Sequence, residues 1–326
     1  MEAIIAANDT LGAKIRATLL SRDPVRFKTE VPHLGLRPEF EWIIGEPAAF
    51  EFPAGRFDYL IDFATPSAAE VMQSGIQPDD AGGTAIVERC LQGSTNLIRF
   101  AKAAGVRRVL YASSGAVYGR QPGNVERLTE DFAADAATVA PYGRLKQRSE
   151  ALLLGSGLDV VIARGFAFIG PYLPLTDKFA VGSFIRDGLA GGSICITGDG
   201  TPQRSYLYAA DLAIWLLTLL IRGKPARSYN VGSDVAVTLA NLADLVRRSC
   251  ESQFVVEIAY ARDGLETERY VPSIARAQVE LGLTPLIPLG PALQRTIEWA
   301  ARRPLHRPDQ NSDCNAIGPT DRSTTP

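Results

Sequence analysis

Histidine and cysteine are both scarce in this chain, and each scarcity removes a class of chemistry. Only two histidines occur, His33 and His306, both in loop-like contexts. A histidine-built metal site or triad is therefore not expected, and acid/base work falls to other side chains. The four cysteines, Cys90, Cys195, Cys250 and Cys314, stand far apart with no short paired spacing. That argues against a zinc or redox motif, so no metal is expected, and it suits a reducing, cytoplasmic setting. Long apolar runs are missing as well. The longest candidate, Leu212–Ile221, is about half of the ~18–20 residues that a membrane span needs. No basic stretch followed by an apolar run and a small-residue cleavage site opens the sequence, so neither a signal peptide nor membrane attachment is expected. An excess of one charge is also lacking. With 34 basic and 36 acidic residues the net charge is −2, which favours neither nucleic acid nor an anionic membrane as a partner.

What is present is an ordinary globular composition: 326 residues, 46% hydrophobic and 21% charged. That length suits one large α/β unit or two interleaved lobes. Short runs rich in Val, Ile, Leu and Tyr predict buried strands at Ala3–Ala7, Phe57–Ala64, Val106–Ala112 and Leu158–Ala163. Helical patterns lie between them at Leu11–Leu20, Gly83–Ala104 and Tyr142–Leu154, and later near Phe179–Ala190, Ala209–Ile221 and Leu239–Cys250. The alternation predicts an α/β fold: a doubly wound, Rossmann-like parallel sheet with a smaller α/β substrate-binding lobe. Residues 1–166 would form the dinucleotide-binding domain, joined by a return segment at about 205–233. Residues 167–302 would form the interleaved substrate lobe. From 303 to 326 the chain carries Pro, Asp, Asn, Ser and Thr with few apolar residues, and a disordered tail is expected.

The strongest chemical signal is Tyr142-Gly-Arg-Leu-Lys146, placed after a strand that ends in Ala112-Ser113-Ser114. Residues four apart on a helix share a face, so the phenol and the ammonium project into the same space. A nearby ammonium favours phenolate, which would lower the Tyr142 pKa and suit it to proton transfer. A serine hydroxyl from the C-terminal end of a strand could bond the reacting oxygen, at the edge where open α/β sheets bind ligands. Ten tyrosines and six lysines give about 0.2 chance Tyr-x-x-x-Lys pairs per chain, so the pair alone is weak. Its order after strand, Ser-Ser and Val117-Tyr118-Gly119 is what gives it meaning.

The run from Tyr111 through Ala-Ser-Ser-Gly-Ala-Val-Tyr to Gly119, followed by Tyr142 and Lys146, resembles the NAD-dependent epimerase/dehydratase family of extended short-chain dehydrogenases. The likeness continues through Arg164-Gly-Phe-Ala-Phe-Ile-Gly-Pro171, the stretch Gly198–Asp211, and Tyr229-Asn-Val-Gly-Ser233, and covers nearly everything up to about residue 302. The resemblance implies a catalytic set of Ser114, Tyr142 and Lys146. Tyr142 would be the acid/base and Lys146 would also hold the nicotinamide ribose. It implies NAD or NADP as cofactor, with NAD favoured, and a nucleotide-sugar substrate contacted by Ser114 and, at its diphosphate, by Arg204.

The N-terminus departs from that pattern. The first strand-to-helix turn would be Ala6-Ala-Asn-Asp-Thr-Leu-Gly12, in which only Gly12 keeps the family's glycine spacing. Ala6 and Asp9 stand at the other two glycine positions, and the Asp9 carboxylate would oppose a pyrophosphate. Glu30 falls in register with the acidic residue that holds the adenosine ribose, and Gly45-Glu46 falls where the family has Gly-Asp beside the adenine. Ala64 completes the expected cofactor contacts. Family dehydratases place Asp-Glu after the catalytic Ser/Thr. Here Gly115-Ala116 follow, so 4,6-dehydration is disfavoured, and hydride chemistry at sugar C4 remains: reduction of a 4-keto-6-deoxy sugar, or 4-epimerisation. A non-catalytic nucleotide-sugar or dinucleotide sensor, and a reductase of non-sugar carbonyls, stay open as alternatives. The resemblance also implies a homodimer built on the helices Gly83–Ala104 and Tyr142–Leu154, which carry apolar residues beyond one stripe (Ile86, Leu91, Ile98, Leu145, Leu152).

Overall fold

Val109 and Tyr111 point to one side of a strand and Leu110 to the other, and this alternation organises the molecule. The computed structural model describes residues 1–64, 81–177, 179–196, 198–250, 255–258 and 267–303, with 81–85 described as backbone only. The central sheet runs in the order β10 (Arg227–Val231), β5 (Val160–Gly165), β4 (Arg108–Ser114), β3 (Tyr59–Asp62), with every pair parallel. Val109, Tyr111, Val160 and Ile162 pack on one face with Phe100, Ala101 and Leu153. These come from α4 (Ala81–Ala103) and α5 (Pro141–Leu154). Leu110, Val161 and Ala163 pack on the other face with Trp215 and Leu219 of α7 (Ala209–Arg222). Helices on both faces of a parallel sheet make the fold doubly wound.

A separate parallel pair, β1 (Ala17–Ser21) with β2 (Phe40–Ile44), precedes this sheet. It is accompanied by α1 (Glu2–Leu11) and by the short helices α2 (Pro24–Glu30) and α3 (Pro32–Gly35). A second core lies later in the chain. It joins α6 (Ala180–Leu189), β7 (Ile194–Ile196), α8 (Leu239–Ser249) and α10 (Leu289–Ala301) through Phe184, Ile185, Leu242, Val246 and Leu293. The chain crosses between the two cores more than once: β6 (Phe168–Ile169) pairs with β9 (Leu207–Tyr208), α7 follows, and β10 then joins the central sheet beside β5. The remaining short elements are β8 (Gln203–Arg204), β11 (Val237–Thr238), β12 (Val256–Ile258), β13 (Arg269–Tyr270) and α9 (Ala275–Leu281). Of these, β8 lies between β11 and β13.

Two expectations at the N-terminus are corrected. Ala3–Ala7 lies inside the helix α1, and β1 occupies the end of the segment predicted to be helical at Leu11–Leu20. A five-residue apolar run does not itself distinguish strand from helix. Here Glu2, the alanines and Leu11 are good helix formers, and Gly12, at φ 65°, ends the helix in the left-handed conformation. Asn8 then bonds both the N–H and the C=O of Ile15, folding the chain back into β1. Residues 304–326, most of the expected tail, lie outside the described residues, as do His306 and Cys314.

Candidate active site

Ser114 ends β4 on the C-terminal edge of the central sheet and caps a single 3-10 turn, Gly115–Tyr118, by accepting the Ala116 N–H at 3.2 Å. Opposite it, α5 begins at Pro141, a residue suited to a first helical turn because its missing N–H would have no partner there. The helix approaches the turn so closely that a Cβ on Gly143 would stand 2.2 Å from the carbonyl oxygen of Ala116. Glycine between Tyr142 and Lys146 therefore lets the helix bring the Tyr142 phenol up to Ser114, whose hydroxyl lies close enough to ease its ionisation.

A second phenol, that of Tyr270, stands beside Ser114. Tyr270 stands on β13, which pairs in parallel with β8 so that Tyr270 lies opposite Arg204. Its ring packs on Phe166 with centroids 4.7 Å apart. Together the two rings close over Gly115, where a Cβ would come within 2.6 Å of the Tyr270 oxygen and 2.8 Å of Phe166. A carboxylate side chain has no room at that position.

The ionisation of the set differs from the expectation. Burial raises the Tyr142 phenol above its ordinary value, and the nearby Ser114 hydroxyl offsets only part of that. The Lys146 ammonium is spent elsewhere: it donates to the Ala112 carbonyl at 2.6 Å and lies 4.8 Å from the Tyr111 ring centroid, against 5.8 Å for the Tyr142 ring. Lys146 is buried, and burial lowers its pKa to about 8 although Asp62, Cys90 and Glu150 pull it upward. Asp62 is buried at the end of β3, and its burial raises its own carboxyl. In this arrangement Tyr142 is a protonated donor at neutral pH rather than a phenolate.

Beneath Ser114 lies a buried polar scaffold made from other motif residues. Arg164 donates to both carboxylate oxygens of Glu150, at 3.1 and 2.7 Å, and to the Tyr118 hydroxyl at 3.0 Å. Tyr118 donates to Asn230 at 2.7 Å, and Glu150 accepts from Ser113. These residues tie β4, α5, β5 and β10 together and hold Ser114 in place.

Arg204 is half-buried and ion-paired to Glu268 at 2.8 Å. On the neighbouring strand Arg269 donates to Gln203 at 3.0 Å, on the face opposite to the one that Arg204 shares with Tyr270. The sequence reading missed Asp62, Arg269 and Tyr270. The last two lie far along the chain, on a two-residue strand with no periodicity to reveal it.

Glu46, Ala64, Asp62 and Cys90 border a cavity of about 900 Å³ next to this set; the Glu46 carboxylate is ion-paired to Arg89. In size the cavity suits a small-molecule cofactor. Gly12 and Glu30 do not line it. Gly12 caps the C-terminal end of α1, and Glu30 sits in the last turn of α2, exposed and paired with Arg26 at 2.7 Å. The Lys146 ammonium stands close to the Asp62 and Cys90 walls of this cavity, a placement that fits a group holding a cofactor hydroxyl. No group of three metal-ligating side chains occurs among the described residues, and no described helix is long and apolar enough to cross a membrane.

Comparison with known proteins follows the same lines. The chain is 28% identical over 223 residues to a UDP-glucuronic acid decarboxylase 1 of Danio rerio, covering 66% of this chain and 52% of that protein. It is 27% identical over 216 residues to a dTDP-D-glucose 4,6-dehydratase of Mus musculus, covering 64% of this chain and 59% of that protein. The chain thus spans about half the length of the curated relatives it matches. Among solved structures, a UDP-glucose 4-epimerase of Thermotoga maritima shares the fold with a TM-score of 0.74 at 19% identity, covering 91% of this chain and 94% of that one. A dTDP-glucose 4,6-dehydratase of Streptomyces venezuelae, solved with NAD bound, gives 0.75 at 23% identity and covers 92% of both chains. A sequence model of one family matches residues 48–232, which hold the Ser114 turn, the Tyr142 helix and the β10 return strand. With more than half its length inside that match, this chain belongs to the NAD dependent epimerase/dehydratase family of enzymes.

Proposed function

We propose that the chain is an NAD(P)-dependent nucleotide-sugar oxidoreductase or epimerase that works at C4 of the sugar, as a 4-keto-6-deoxy-sugar reductase or a 4-epimerase. The observation that carries this reading is the closed wall beside Ser114: Tyr270 and Phe166 fill the space over Gly115. A neighbouring acid/base pair for removing water across C5–C6 has no place there, whereas one hydroxyl pair can still serve C4.

In this reading Ser114 orients the C4 oxygen and Tyr142 delivers or receives its proton. A protonated Tyr142 suits delivery to a carbonyl. Lys146 would hold the nicotinamide ribose, with Glu46 and Ala64 along the remainder of the cofactor, and the cofactor when bound supplies hydride exchange. Arg204, on the same face as Tyr270, offers a guanidinium group to the substrate diphosphate, a chemistry suited to bidentate contact. Residues 1–166 with β10 would serve the cofactor and residues 167–302 the sugar. A homodimer through α4 and α5 completes the proposal. Leu152 is exposed for that role, while Leu145 is buried inside the protomer and is withdrawn from it.

The test is to incubate the protein with NAD(H) or NADP(H) and a panel of UDP- and dTDP-sugars that includes 4-keto-6-deoxy forms. Reduced nicotinamide is followed by absorbance and products by NMR. Reduction or inversion at C4 is the expected result. Loss of water across C5–C6, loss of a carboxyl carbon, or binding without turnover would each overturn it.

A further inference from the structure

Ser21 ends β1 and Arg22 follows it, and both border the 900 Å³ cavity. Ser21 lies opposite Ile44 of β2, and its carbonyl accepts the Gly45 N–H at 3.0 Å. Ser21-Arg22 and Gly45-Glu46 therefore share the carboxyl edge of this parallel pair. At that edge of an open α/β sheet an acidic side chain accepts from the hydroxyls of a plain ribose, whereas an arginine meets a phosphate on the 2′-oxygen. The carboxylates around Arg22 are already committed. Asp23 accepts the Arg26 N–H at 2.9 Å to cap α2, and it does not line the cavity. Glu30 pairs with Arg26, and Glu46 with Arg89. Among the described residues Arg22 has no ion-pair partner of its own. Ser21 Oγ accepts the Asp23 N–H at 3.2 Å, which leaves its own proton free to donate.

We propose that the cavity selects NADP(H) over NAD(H), with the Arg22 guanidinium and the Ser21 hydroxyl holding the 2′-phosphate of the adenosine ribose. This rests on the cofactor reading of the cavity, and it reverses the preference for NAD that the family resemblance implied. The case is one of charge and of donors. A 2′-phosphate brings negative charge and several strong acceptor oxygens. The guanidinium answers with a planar fork of N–H donors, and the serine adds an O–H. A plain 2′-hydroxyl would meet the same cation with no free carboxylate to accept its proton. Glu46 is the acidic side chain on this edge, and its pair with Arg89, which also lines the cavity, neutralises it. The charge of Arg22 is thus left for a ligand. Arg22 is exposed, so its replacement changes the cavity rim without disturbing a core.

Equilibrium titration of the full chain tests this with NADPH, NADH and two fragments, adenosine 2′,5′-bisphosphate and 5′-AMP. NADPH should bind more tightly than NADH by about tenfold or more, and the preference should shrink as salt rises. The bisphosphate should outbind 5′-AMP in the same sense. Arg22→Ala should remove most of the preference by weakening NADPH while leaving NADH unchanged. Arg22→Lys should keep part of it, and Arg22→Asp should reverse it. NADH bound as tightly as NADPH, or more tightly, would overturn the proposal and leave the cofactor reading standing. So would a preference for NADPH that survives Arg22→Ala undiminished. Binding of neither dinucleotide would overturn the cofactor reading along with the proposal.

Discussion

Lys146 is a buried amine whose pKa is lowered by burial to about 8, and two consequences follow at the scale of this one residue. Any step that needs its ammonium weakens as pH rises through about 8, so the alkaline limb of the rate profile should fall there. Stability moves the other way. An unfolded lysine keeps its proton to pH ~10.4, so between about pH 8 and that value the unfolded state binds more protons and the fold gains stability. The burial penalty is present in full below about pH 8. Urea unfolding at pH 7 and pH 10 should show the rise, and Lys146→Met should flatten it; a wild type as flat as the variant would contradict the assignment. Ser114, Tyr142 and Lys146 were legible in the sequence because strand end and helix spacing bring them together. Tyr270 was not, because its position depends on a two-residue strand finding β8 from far along the chain. The direction of the Tyr142 shift was not legible either, since spacing places Lys146 near the phenol but cannot show that its ammonium donates to the Ala112 carbonyl.

At the scale of elements, the closest approach in the site is that of α5 to the Ser114 turn. Gly143→Ala puts a methyl 2.2 Å from the Ala116 oxygen, so the helix must shift. Overpacking of this kind costs about 1–3 kcal/mol, and the displaced Tyr142 should lower kcat more than it raises KM. A variant with unchanged stability and kcat would show that the helix has slack. The Arg164–Glu150 pair gives a second prediction, because both side chains are largely buried, at 16% and 8% exposure. Removing one partner, as in Arg164→Met or Glu150→Leu, should cost about 3–5 kcal/mol by stranding a charge, and the double change should cost less than the sum. A double-mutant cycle in urea checks this. Strands β3, β4 and β5 were readable as short apolar runs bounded by polar turns. The misreading of α1 and β1 has a physical source: Ala3–Ala7 has the length of a strand, and only Gly12 and the Asn8 bridge to Ile15 make it a helix.

At the scale of the molecule, one feature of the sequence carried most of the fold: alternation of buried strands with helices, which obliges a parallel sheet covered on both faces. The return of β10 to that sheet is set by Asn230, buried at its centre and bonded to Tyr118 and Glu130. The account rests on Tyr142 carrying the proton at C4. Tyr142→Phe removes one hydroxyl and little volume, so folding and nucleotide-sugar binding should persist. Single-turnover reduction of a 4-keto nucleotide sugar should then slow by about 10²–10⁴-fold against wild type, the usual worth of a positioned acid/base; equal rates in the two proteins would contradict the account.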